Sequence, residues 1–384
     1  MPHKVIVMIG PSCASQGGMA SVVNSFRAAG LFERWPIVYL HTHIEGGKLA
    51  KLRVAIVAWL QFAGLLARGR VALLHAHVPR RNAFWRKTLF ILPARLARCP
   101  YIVHLHSGGF VHFYQHEIGP LRRRLVRFVL DHAARIVVLS SQWQQALAGI
   151  TRNPHLVTVY NFVTTQAVNL RSEQQPNTLL FLGRLNEEKG YFDLLHAVKL
   201  LRADFPDVLL YCGGVGDDAE IQRSLRDLNL EQHVRLLGWV EGEVKQRLFA
   251  HAAVFVLPSY VEGMPMGILE AMAQGGAVVA TSAGGIPDMI DAGVEGLLVT
   301  PGDIPALTYS LAKLLRNSVL RARMGEAGRQ RVARQFSAVA VLPVLDKMYR
   351  ELTSDASDAA RDELSYSCDR LRAESIEIRE REII

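Results

Sequence analysis

Short apolar runs rich in β-branched residues alternate with longer amphipathic stretches along most of the chain. Val5–Ile9, Ile37–Tyr39, Val71–His75, Tyr101–Leu105 and Ile136–Leu139 each end in loop residues and lead into a stretch of helical character. Runs that are apolar throughout suit strands buried on both faces of a parallel sheet, and the intervening segments suit the helices that cover it. A polar stretch containing Pro176 interrupts the pattern and reads as a linker over 166–178. The alternation then restarts with Leu179–Leu182, Val208–Tyr211, Val234–Leu236, Val254–Leu257, Val278–Ala280 and a short Gly296–Val299. The pattern predicts an α/β protein with two Rossmann-like, doubly wound domains, 1–165 and 179–336, facing a central cleft at the carboxyl edges of their sheets. Val341, Leu345, Met348 and Tyr349 recur at helical spacing and predict a last helix over 337–352, expected to pack back on the first domain. The remainder, 353–384, is charged and lacks an apolar stripe.

Composition narrows the picture in three ways. A length of 384 residues fits two domains better than one. The net charge of +9 points to an anionic partner, for which nucleic acid, an acidic membrane face and a phosphorylated substrate all qualify. The four cysteines are scattered, which argues against a disulfide framework or a zinc site and for a reducing compartment. The first apolar run is brief and ends in Gly-Pro-Ser, so it reads as a strand rather than a signal peptide. Leu52–Ala67 falls short of the roughly 20 apolar residues of a membrane span and is expected to be a buried or interfacial helix.

Candidate chemistry collects at strand ends. Pro258–Gly276 follows the strand Val254–Leu257, with Pro265 suited to a first helical position and Gly263 and Gly267 open to close approach by a ligand. Glu262 lies in that loop and Glu270 in the helix, so one carboxylate can meet a sugar while the other accepts from a vicinal diol. The free N–H groups of the helix start favour a phosphate or a ring hydroxyl. Arg184 follows Gly183 at the mouth of the strand Leu179–Leu182, and Lys189 comes shortly after; two cations there suit a diphosphate whose charge grows as it leaves. Gly214 and Gly216 form a glycine turn one strand later. In the first domain Gly17 and Gly18 precede a helix beginning near Met19, while His75, His77 and His106 end strands.

Together these pieces resemble glycosyltransferase family 4, the retaining, sugar-nucleotide-dependent transferases of GT-B fold. The resemblance runs from about Val5 to Leu352 and is carried by the E-x7-E pair Glu262/Glu270, the Gly-Arg-Leu…Lys-Gly stretch, the Gly-x-Gly loop and the GGIPD turn. It implies that Arg184 and Lys189 hold the donor diphosphate and that Glu262 binds donor-sugar hydroxyls, helped by the backbone of Met264, Pro265, Met266 and Gly267. It further implies that Glu270 binds the ribose, that Gly17 and Gly18 approach the phosphate or sugar, and that His106 contacts the sugar near the reaction centre. Asn161 matches the family's hinge segment, with Phe162 in place of the usual glycine, and Asp288 stands where glutamate is commoner. No cofactor or essential metal is expected, and no D-x-D motif is present.

The implied co-substrates are a UDP- or GDP-sugar and a lipid-linked or saccharide acceptor of cell-envelope or exopolysaccharide synthesis. Basic, apolar segments at Lys48–Arg70, Arg80–Arg98 and Leu121–Arg135 suit an anionic membrane surface, placing the protein in the cytoplasm, peripheral on the inner face of the membrane. Nucleic-acid binding is not expected, because no recognition module accompanies the charge. Two alternatives stay open at this level: a sugar-nucleotide epimerase of similar fold and a non-catalytic nucleotide-sugar-binding subunit.

Overall fold

A computed structural model describes residues 4–164 and 174–353. Six parallel strands form the N-terminal sheet: β1 (Val5–Gly10), β2 (Ile37–His41), β3 (Val71–Val78), β4 (Tyr101–Leu105), β5 (Arg135–Val138) and β6 (Leu156–Thr158), in the order β2-β1-β3-β4-β5-β6. The C-terminal sheet repeats the plan with β7 (Thr178–Leu182), β8 (Leu209–Gly213), β9 (Val234–Leu236), β10 (Val254–Leu257), β11 (Ala277–Thr281) and β12 (Gly296–Val299), ordered β12-β11-β10-β7-β8-β9. Strand order reverses between β1 and β3 and again between β7 and β10, and ligands of open α/β sheets bind at such points. The loops after β1, β7 and β10 carry the motifs read from the sequence.

Helices cover both faces of each sheet, which is why the central strands are apolar throughout. On the N-terminal sheet, Val7, Ile9, Leu74, Ala76 and Val103 pack toward helices Lys48–Ala67, Asn82–Leu96 and Pro120–Asp131. The alternate residues Ile6, Met8, Leu73 and Ile102 face helix Gly18–Ala28 and the last helix, Ala338–Leu352. That last helix lies against the N-terminal domain. Asp346 accepts from Arg34 Nη1 at 2.7 Å and from Trp35 Nε1 at 2.8 Å, and Arg135 pairs with Glu351 at 2.8 Å. The chain therefore crosses between domains twice, and the crossings touch: Val163 N–H donates to Phe336 O at 3.1 Å.

Three expectations need correction. β7 begins at Thr178, one residue inside the expected linker, whose 166–173 portion lies outside the described residues, as does the tail beyond Thr353. Helix Lys48–Ala67 is 20 residues long, and by length and composition it is apolar enough to cross a membrane. It is not a buried helix either: only Ala58 and Phe62 are buried, while Leu49, Leu52, Ile56, Val57, Trp59 and Leu60 are exposed. The strand Leu156–Thr158 was not anticipated, being three residues long at a sheet edge.

Candidate active site

The loop after β10 is held in place by its neighbours. Tyr260 N–H donates to Glu188 O at 2.9 Å and its hydroxyl to Asp193 at 2.7 Å, tying this loop to the one after β7. Asn161, at the domain crossing, donates from Nδ2 to Met264 O at 2.7 Å. Pro265 occupies the position before the first helical residue (φ −71°, ψ 123°) rather than the first turn itself, and the helix runs Met266–Ala273.

Each of the two glutamates is met by a lysine. Lys189 Nζ lies 2.6 Å from Glu262 Oε1, and Ser259 Oγ donates to the same oxygen at 2.7 Å. Glu262 is 6% exposed, so two charge-assisted hydrogen bonds compensate the burial of its carboxylate. Glu270 is bonded at 2.6 Å to Lys245, on helix Gly242–His251. Burial raises the Glu270 pKa above the usual carboxylate value, and Lys245 opposes that rise. Sequence reasoning missed Lys245, because nothing in its local context marks a residue that meets Glu270 only through folding. Arg184 is exposed and makes no ion pair among the described residues.

The glycines divide by what they approach. Gly17 (φ 142°) caps helix Gly18–Ala28, and a Cβ on either Gly17 or Gly18 would meet open space. Gly263 and Gly108, by contrast, bring the domains together. A Cβ on Gly108 would sit 1.8 Å from Glu262 O, and one on Gly263 would sit 2.7 Å from His106 O. What approaches Gly263 is thus the opposite loop's backbone, not the ligand the sequence suggested. Gly214 (φ 152°) serves a packing purpose as well, since a Cβ there would lie 1.8 Å from Gly183 O. Gly216 crowds the Leu185 carbonyl in the same way, at 2.3 Å. Gly267 stands over the Phe255 ring, 3.0 Å from its added Cβ.

Polar contacts close the domain junction. Asp288, in the GGIPD turn, accepts from Ser141 N–H at 2.7 Å and from Ser141 Oγ at 3.1 Å. Arg80 pairs with Glu188 at 2.5 Å. His106 sits at the junction with its Nε2 2.7 Å from His77 Nδ1, and burial pushes its pKa down to about 3. It is therefore a neutral imidazole, fit to accept or donate one hydrogen bond. Lys87 is buried beside this region, donating to Thr42 Oγ1 at 2.5 Å; burial and then Arg86 hold its pKa well below the ordinary ammonium value.

Two six-stranded parallel sheets, each covered by helices and facing one another across a junction, make the two-domain architecture of the GT-B class. Residues 163–331 match the family model described as glycosyl transferases group 1, and residues 13–161 match the glycosyl transferase 4-like domain. The phosphatidyl-myo-inositol mannosyltransferase of Mycobacterium tuberculosis is 32% identical over 311 residues, covering 77% of this chain and 78% of the relative. Among solved structures, sucrose-phosphate synthase from Thermosynechococcus elongatus aligns with a TM-score of 0.76 at 22% identity, covering 92% of this chain and all of that one (100%). Anabaena Alr3699/HepE in complex with UDP and glucose aligns with a TM-score of 0.71 at 18% identity, over 91% of this chain and 100% of that one. The chain belongs to the family 4-like glycosyltransferases of GT-B fold.

Proposed function

We propose that the protein transfers a hexose, with retention, from a UDP- or GDP-sugar to a lipid-linked saccharide acceptor at the inner face of the cytoplasmic membrane. The observation that carries this reading is the pair of carboxylate–lysine contacts among the segments that follow β7, β9 and β10, Lys189–Glu262 and Lys245–Glu270. A diphosphate entering between Arg184 and Lys189 would draw the ammonium from Glu262 and leave that carboxylate free for sugar hydroxyls. Glu270 would accept from the ribose. The bond from the anomeric carbon to the phosphate oxygen breaks as the acceptor oxygen bonds to the same face of that carbon. The acceptor's proton passes to the departing diphosphate, and Arg184 and Lys189 stabilise the growing charge. No metal is needed in this transfer. The Anabaena neighbour is described with UDP and glucose bound, and the mycobacterial relative is named for a lipid acceptor; both agree with the reading.

Membrane docking is supported by exposed apolar side chains on three helices that pack side by side. Leu49, Leu52, Ile56 and Leu60 line the outer side of helix Lys48–Ala67, with Leu89 and Leu96 on the next helix and Leu121 and Phe128 on the third. Lys48, Lys51, Arg53 and Arg122–Arg124 border them, each adding about 1 kcal/mol of attraction to an anionic leaflet.

Thermal stabilisation across a panel of UDP- and GDP-sugars tests the donor. One nucleotide series should stabilise the protein and Glu270→Ala should lose the effect; stabilisation that survives this change refutes the ribose assignment. Anionic vesicles at low salt should retain the wild type but not a Leu52→Asp/Leu60→Asp variant. Equal recovery of both from the supernatant rules out the docking face.

A further inference from the structure

Below the cleft, β3 and β4 pair in a register that sets His77 opposite His104. Side chains alternate along a strand, so His75 and His106 fall on the same face as that pair. The result is a stack of four imidazoles: ring centroids are 4.8 Å apart for His75–His77, 5.1 Å for His77–His104 and 4.1 Å for His104–His106. His75, His77 and His104 are at most 1% exposed. Phe26 covers them from helix Gly18–Ala28 and Tyr349 from the last helix.

The hydrogen bonds of this cluster do not balance. His75 Nδ1 is 2.6 Å from the Tyr349 hydroxyl, and His77 Nδ1 is 2.7 Å from His106 Nε2. His75 Nε2 lies 3.1 Å from His104 Nδ1. The Nε2 atoms of His77 and His104 are fully buried and have no partner. Each such orphan opposes folding whether it carries a proton or a lone pair, because its bond to water is lost without replacement. With Nδ1–H donated to Tyr349 by His75, to His106 by His77 and to His75 Nε2 by His104, the Nε2 lone pairs of His77 and His104 are left free. An outer partner on Nδ1 is the usual arrangement of a metal-bound histidine. One donor nitrogen from each of His75, His77 and His104 lies within 4.8 Å of the others.

We propose that His75, His77 and His104 bind one late first-row divalent cation, zinc above all, through their Nε2 atoms. Imidazole donors suit zinc, copper and nickel and disfavour magnesium and calcium. Coordination at about 2.0–2.1 Å draws the three nitrogens together and breaks the 3.1 Å His75–His104 contact. The site joins two adjacent strands and, through Tyr349, the last helix.

Metal analysis of the purified full-length protein is the test, first as isolated and then after chelation and dialysis against zinc or cobalt. Expected are about one zinc per chain and, with cobalt, the visible bands of a nitrogen-ligated ion. His77→Ala/His104→Ala removes two of the three ligands and should abolish bound metal, while Glu270→Ala should leave it unchanged. Failure of the donor reading would not touch this result. Metal far below one equivalent after reconstitution overturns the site and leaves a buried water as the orphans' partner. So does full metal retention in the double variant. If that variant does not fold, X-ray absorption of the wild-type protein decides: an all-imidazole shell upholds the assignment, and thiolate or carboxylate ligands overturn it.

Discussion

Replacing Lys245 by methionine isolates the electrostatics of Glu270, because the stem is preserved and only the charge and hydrogen bond are lost. The two side chains are 26% and 21% exposed, so the pair lies between a surface ion pair, worth about 0–1 kcal/mol, and a fully buried one, whose breakage costs about 3–5 kcal/mol. About 2 kcal/mol follows at neutral pH, or a fall in Tm of about 4–8 °C for a domain of this size. The pH dependence fixes the sign. Burial already raises the Glu270 pKa in the folded state, so its contribution is greatest in acid, where the carboxyl is protonated in both states, and is lost as pH rises through the folded value. Without Lys245 the folded pKa rises further, each unit being worth about 1.4 kcal/mol. The Tm gap between wild type and Lys245→Met should therefore be small near the ordinary carboxylate pKa, widen as pH rises, and flatten above the variant's folded value. Thermal unfolding of both proteins from about pH 4.5 to 8 measures it. A gap independent of pH, or none at pH 8, would refute the argument.

Three further substitutions probe the domain junction and the last helix. Gly108→Ala places a methyl 1.8 Å from Glu262 O, so the loops must part; Tm should fall by several degrees and small-angle scattering should show a larger radius of gyration. An unchanged radius would show that the junction yields locally instead. Asp288→Ala removes two hydrogen bonds to the exposed Ser141 and should cost about 0.5–1.5 kcal/mol in urea unfolding, whereas no loss at all would mean water fully replaces the carboxylate. Asp346→Ala leaves Arg34 and Trp35 Nε1 without their acceptor; a red shift in tryptophan emission and a loss of about 1–2 kcal/mol are expected, and unaltered emission would count against the contact.

Much of the fold was legible because parallel strands buried on both faces are apolar throughout and therefore stand out. Val254–Leu257 is the same span by pattern and by structure. Leu156–Thr158 escaped notice as a half-buried edge strand with no continuous run to mark it. The start of helix Lys48–Ala67 was obscured because Lys48 and Lys51 looked like flanks, although they lie in its first turn. Its exposure could not be read at all, since core and lipid-facing helices share a composition. At the site, glycine density marked the right loops but not the purpose of each glycine. Gly108 and Gly263 admit the opposing backbone, while Gly17 opens on space. Lys245 and the His77–His104 register arise only when separate elements meet, so no local pattern reveals them.

The paired crossings at Val163 and Phe336 have a mechanical consequence. Two connections side by side, bonded at 3.1 Å, resist shear and twist in a way that a single tether does not. The domains are left one easy motion, a rotation about an axis through that junction, as a cover turns on its spine. Gly108 and Glu262 face one another across that junction, so a rotation there changes their separation. A cleft mounted this way can open and still return each time to the same alignment.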